Sequence, residues 1–165
     1  GFRETLDVLH RNSFRTVGAG MTLQEATAPL TLTLKGTRVT IVNFSEGEDL
    51  TASEGGPGVC GWEIDRLIGL VRKAKKRGDF VIAIGHAGLE YIPFPPPYVV
   101  EAFEAISDAG ADCVVGHHPH VPQGVQICNG VPICYSLGNF VFYQETDLFY
   151  RKLGNLVKAY LKSDL

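Results

Sequence analysis

The sequence predicts an α/β fold, and three observations carry that expectation. Two short runs, the apolar Phe80 to Ile84 and Asp112 to Val115, apolar after its first residue, have the pattern of strands buried on both faces. Each is preceded by a segment with helical periodicity, and that alternation builds a parallel sheet. Nearer the start, Leu30 to Leu34 and Arg38 to Phe44 alternate apolar and polar residues around Lys35-Gly36, which predicts a hairpin.

Taken in order, Arg3 to Asn12 places Leu6, Val8 and Leu9 among polar residues as a short amphipathic helix. Phe14 to Val17 reads as a strand running into a tight turn at Gly18-Ala19-Gly20. Thr22 to Ala28 forms a helical turn with Thr22 as its N-cap and Glu25 at capping-box spacing. After the hairpin, Ser45 to Gly58 offers little to bury and reads as an exposed loop. Trp62 to Arg77 is a helix with Ile64, Leu67, Ile68, Val71 and Ala74 on one side. Its acids lie early and its bases late, matching the helix dipole, so the basic cluster Arg72 to Arg77 reads as a solvated helix end.

Beyond the first buried strand, a proline-rich loop leads to a helix over Tyr98 to Ala109, stopped by Gly110. After the second, Gly124 to Cys128 and Val131 to Ser136 flank Asn129-Gly130, a type I′ hairpin turn. Leu137 to Tyr143 continues as a turn and a short strand. The tail has two readings, a helix over Asp147 to Leu161 or a sheet edge over Asn155 to Leu161.

The 165 residues suit one domain or a large piece of one; 45% are hydrophobic and 20% charged, a globular balance. A net charge of -3 supplies no basic excess for counterion release, so nucleic acid is not an expected partner. No stretch reaches the length needed to cross a bilayer as a helix. The chain opens on Gly1-Phe2-Arg3 rather than an apolar leader, and because residue 1 is not Met this says little about location. Cys60, Cys113, Cys128 and Cys134 form no CxxC pair and suggest neither a zinc knuckle nor a redox motif.

The chemistry gathers where both buried strands end, in Ile84-Gly85-His86 and Val115-Gly116-His117-His118-Pro119-His120. Ligands of α/β folds collect at the carboxyl ends of such strands, and imidazole is the commonest metal-binding side chain. Four of the five histidines lie at these two places. In an extended loop, His118 and His120 face the same way and can reach one metal, while His117 faces the other way and suits a transition-state donor.

These blocks resemble the bacterial CapA/PgsA family of capsule and poly-γ-glutamate biosynthesis. The residues that carry the resemblance are Asp108 to His120, Tyr135-Ser136-Leu137-Gly138-Asn139-Phe140-Val141-Phe142, His86-Ala87-Gly88-Leu89-Glu90-Tyr91, and Gly18-Ala19-Gly20 with Glu25-Ala26. The family is similar to calcineurin-like metallophosphoesterases. The resemblance implies an α-β-β-α sandwich with divalent metal ions in a dinuclear centre, and a hydrolase or transferase acting on a phosphoester or related bond. Carried over by position, His86, His118 and His120 are metal ligands and His117 is a catalytic donor. Glu90 either orients His86 or is a surface glutamate; Asn139 either lines the site or holds its turn.

The resemblance further implies a capsule or poly-γ-glutamate polymer, or a phosphoester, as substrate. It implies a membrane synthase or export assembly as partner and an extracytoplasmic, envelope-associated place. The family's earlier motifs, which include the bridging carboxylate, have no counterpart in residues 1 to 165, so the chain reads as the C-terminal portion of one domain. A non-catalytic accessory subunit and an inactive fragment are the alternative readings. The fragment reading expects exposed apolar sheet surface.

Overall fold

A computed structural model describes residues 1–47, 50–143 and 145–160. Its elements in chain order are α1 (Phe2–Arg11), β1 (Ala19–Gly20), α2 (Leu23–Thr27), β2 (Leu30–Leu34), β3 (Thr37–Ser45), β4 (Gly58–Val59) and α3 (Ile64–Lys76). They continue with β5 (Phe80–His86), α4 (Pro97–Asp108), β6 (Cys113–His117), β7 (Val125–Cys128), β8 (Val131–Cys134) and a 3-10 turn at Phe149–Lys152.

A six-stranded mixed sheet in the order β2-β3-β5-β6-β8-β7 forms the centre. β3, β5, β6 and β8 run parallel, and a hairpin closes each edge. Both hairpins turn as expected. Lys35 and Gly36 take φ of 50° and 83°, and Asn129 and Gly130 take 50° and 84°, the positive pair that a type I′ turn requires. All four cysteines are free; the β7–β8 register sets Cys128 against Val131 and Cys134 against Val125.

Burial alternates along β5 and β6. Val81, Ala83 and Gly85, with Val114 and Gly116, face the helices and are buried. There they meet Leu67, Val71 and Ala74 of α3, and Val99, Phe103 and Ile106 of α4, in one core. Burying a side chain such as Leu67 or Phe103 contributes about 1.5–3 kcal/mol. Phe103 lies at its centre, stacked on Tyr135 at 5.8 Å between centroids and edge-on to Phe44 at 6.1 Å. The opposite face of these strands carries Ile82, Ile84, Cys113 and Val115, all half-buried.

Three local expectations are corrected. Phe14 to Val17 is not a strand, because no neighbour among the described residues offers it a ladder. Phe14 is 62% exposed, and pairing begins only at β1, which meets β4. Among the described residues Leu137 to Tyr143 holds only single bridges, Leu137 to Pro122 and Gly138 to Gly154, while Phe140 and Val141 are 87% exposed. The tail is neither a long helix nor a sheet edge through residue 160; Leu161 lies outside the described residues. The Ser45 to Gly58 loop is largely open, yet Ala52 is buried where its N–H bonds the Val59 carbonyl; Glu48 and Asp49 lie outside the described residues.

Candidate metal centre

Strand register brings the two histidine-bearing ends together. β5 and β6 pair Gly85 with Gly116 and His86 with His117. The glycines are dictated by packing: a Cβ on Gly85 would sit 2.8 Å from the Phe103 ring, and one on Gly116 would sit 2.0 Å from the Tyr135 carbonyl oxygen. The alternation that turns these glycines towards the core turns the following histidines to the other face. Past the strands the two loops stay joined, with Ala87 N–H bonding the His117 carbonyl at 3.0 Å and Tyr91 N–H bonding the Pro119 carbonyl at 2.8 Å.

The imidazoles converge. His86 Nδ1 lies 2.9 Å from His117 Nδ1, and His86 Nε2 lies 3.0 Å from His118 Nδ1. The His118 and His120 ring centroids are 6.4 Å apart. All four rings are half-buried. Burial, followed by the neighbouring His86, His118 and His120, pushes the His117 imidazole down to about 4. It is therefore neutral at physiological pH and offers an N–H and a lone pair rather than a positive charge.

His117 is the placement that needs correcting. It does not face away from the cluster but sits against His86. Alternation along the loop assumes extended backbone, whereas His118 and His120 take φ of 111° and 57° and bend the chain back on itself. His117 is still the last residue of β6, so strand register rather than the loop sets its direction.

Asn139 touches the site directly. Its Nδ2 donates to the carbonyls of His120, at 3.2 Å, and Arg151, at 2.8 Å, which fixes the amide and leaves Oδ1 to accept from His120 Nδ1 at 2.8 Å. A proton held on Nδ1 puts the lone pair on Nε2, the nitrogen then able to bind a cation. The His120 ring is also flanked by Phe142 at 4.6 Å and Tyr91 at 6.0 Å, and the Arg151 guanidinium lies 3.7 Å over Tyr91.

Glu90 is exposed and has no hydrogen bond among the described residues. The carboxylate that reaches the His86 loop is Glu46, just past β3, in the segment whose composition reads as an exposed loop. It accepts from Gly88 N–H at 2.8 Å and from Tyr98 O–H at 2.6 Å, while its own N–H bonds the His86 carbonyl at 2.9 Å. Its signal was the position: in a parallel sheet the residue after β3 lies beside the end of β5.

The donor set is the kind that divalent transition metals take, imidazole nitrogens in a half-buried cluster. The fit is to part of a centre. Among the described residues no group of three or more His, Cys, Asp or Glu side chains is disposed to hold an ion, and no carboxylate stands among the rings to bridge two.

The model of the bacterial capsule synthesis protein family PGA_cap matches residues 1–144. The chain belongs to this family. Its relatives include the PGA biosynthesis protein CapA of Bacillus subtilis (strain 168), 36% identical over 147 residues and covering 87% of this chain and 39% of the relative. The capsule biosynthesis protein CapA of Bacillus anthracis is 35% identical over 150 residues, covering 87% of this chain and 36% of the relative. This PGA_cap chain thus spans under two-fifths of the length of those relatives. Among solved structures, the NAD nucleotidase NadN of Haemophilus influenzae superposes with a TM-score of 0.50 at 15% identity, over 83% of this chain and 25% of that one. That likeness concerns the fold alone, a mixed α/β arrangement about a central sheet.

Proposed function

We propose that this chain carries the histidine side of a metal centre in a protein of capsule or poly-γ-glutamate synthesis. In the complete domain that centre hydrolyses or transfers a phosphoester or related acyl bond. The observation that supports the reading is the meeting of His86, His117 and His118 at the ends of two adjacent parallel strands. His86, His118 and His120 would hold divalent metal, which supplies Lewis acidity and an activated water when bound. His117, neutral and within reach of His86, would give a hydrogen bond to charge developing on the substrate. Asn139 keeps the His120 Nε2 lone pair available, and Glu46 holds the His86 loop against α4 through Gly88 and Tyr98.

We assign the bridging carboxylate to the length of the relatives that this chain does not span, so the isolated chain is expected to be inactive. The substrate would be the capsule polymer, its precursor or another phosphoester. The working place would be the cell envelope, beside a membrane synthase or export assembly; no helix among the described residues is long and apolar enough to cross a membrane.

A second reading, a non-catalytic accessory of polymer synthesis, draws on the imidazoles hydrogen-bonding one another and on the absence, among the described residues, of three side chains already disposed to hold an ion. Metal analysis with phosphodiester and γ-glutamyl hydrolysis assays on the full-length protein separates the two. His118→Ala is expected to lose both bound metal and turnover. Metal with no hydrolysis of either substrate class favours the accessory, and full metal stoichiometry in His118→Ala overturns the ligand assignment.

A further inference from the structure

We propose a second site at the opposite rim of the sheet: a pocket in which Arg38, Arg77 and Lys73 bind the oxyanion of a carboxylate- or phosphate-bearing ligand. It is independent of the histidine reading. The pocket, of about 270 Å³, lies between the β2–β3 hairpin and the last turns of α3, with Pro29, Thr31 and Leu70 completing its wall. Asp79 beneath it precedes β5, whereas His86 ends that strand, so the two sites stand about 23 Å apart at 3.3 Å per residue.

The arrangement is built rather than incidental. The Asp79 side chain has no solvent exposure and accepts from Thr40 Oγ1 at 2.7 Å, from Arg77 Nη2 at 2.7 Å and from Arg38 Nε. One carboxylate thus holds two guanidiniums in place. Arg38 Nη2 also donates to the carbonyl of Arg77, the C-cap residue of α3, which answers the negative helix end. A guanidinium carries five N–H donors in a rigid plane, and these bonds use only part of that capacity on each arginine. Both side chains are 41–45% exposed, so the remaining donors reach solvent beside the pocket.

Charge points the same way. Arg38, Arg77 and Lys73 against Asp79 leave a surplus of two positive charges in a chain whose net charge is -3. Among the described residues Lys73 has no ion pair, in contrast to Lys75, which grips Asp112 at 2.9 Å. The late bases of α3 are therefore not one solvated face: two of them, Lys73 and Arg77, share a wall with an arginine from β3. Guanidiniums already fixed by a buried carboxylate lose little freedom on meeting an oxyanion and match its geometry with paired N–H bonds.

Titration of the chain at low salt with inorganic phosphate and, separately, with a glutamate oligomer tests the site. At least one probe is expected to bind, more weakly as NaCl rises, and the probe that binds identifies which oxyanion the pocket takes. Lys73→Glu, an exposed change, should weaken binding at least about tenfold, and Arg38→Lys, which keeps the charge but loses the planar fork, should weaken it as well. Lys152→Glu, an equal charge change on the 3-10 turn, should leave binding unaltered. Failure of both probes to bind, or equal losses in Lys73→Glu and Lys152→Glu, overturns the proposal.

Discussion

At the scale of single residues, the site depends on side chains that choose which nitrogen of a ring carries the proton. Asn139 shows this most directly. Its amide is pinned by two carbonyls, so its oxygen can only accept, and His120 must donate from Nδ1. Asn139→Ala removes that acceptor without touching the ring. Long-range ¹H–¹⁵N spectra of the histidine side chains should then show His120 leaving the Nδ1-protonated form, with His86 and His117 little changed. An unchanged His120 tautomer would mean that the Asn139 contact is incidental. His118 and His120 were legible in the sequence as a pair, but their positive φ values were not, because nothing in His-Pro-His announces a left-handed turn. His117 belongs to β6 rather than to that bent loop, and strand register sets it beside His86.

At the scale of elements, the strand ends are set by close approach. Gly116 sits against the Tyr135 backbone and Gly85 against the rings of Phe103 and Phe44. A methyl group at Gly116 meets a carbonyl oxygen that cannot turn aside, whereas one at Gly85 meets rings that can tilt. Gly116→Ala is therefore expected to cost about 3 kcal/mol, or roughly 6–12 °C in melting temperature, and Gly85→Ala less. Calorimetry that ranked them the other way would contradict this account of the packing. The central elements were readable for a related reason. Apolar runs such as Phe80 to Ile84 and helical spacing over Trp62 to Arg77 report burial directly, and both elements form where the pattern places them. Phe14 to Val17 and Leu137 to Tyr143 have strand-like residues too, but a ladder needs a partner, and partners are set by the whole sheet. Glu46 was hidden likewise: its role comes from the β3–β5 register, which brings Ser45 level with His86.

Over the whole molecule, polar work is divided between the two rims of the sheet. One rim gathers imidazoles; the other gathers guanidiniums around Asp79. Burial pushes the Asp79 carboxyl up, but hydrogen bonds from Thr40, Arg38 and Arg77 outweigh it and hold the group at about 2, below its ordinary 3.8. Because the folded state keeps the carboxylate where the unfolded chain would take a proton, this contribution is complete above about pH 4. It fades as pH falls towards 2. Urea unfolding followed down this window should show the wild-type chain losing stability, with Asp79→Asn less stable at neutral pH and flatter across the window. Equal slopes for the two would remove Asp79 from the account.

The bent backbone at His118 carries one more implication. A φ of 111° suits glycine and burdens any residue with a Cβ, typically by about 1–3 kcal/mol. Glycine at position 118 would make a sturdier protein with a poorer site. Under the proposed function, keeping an imidazole there sets durability against chemistry.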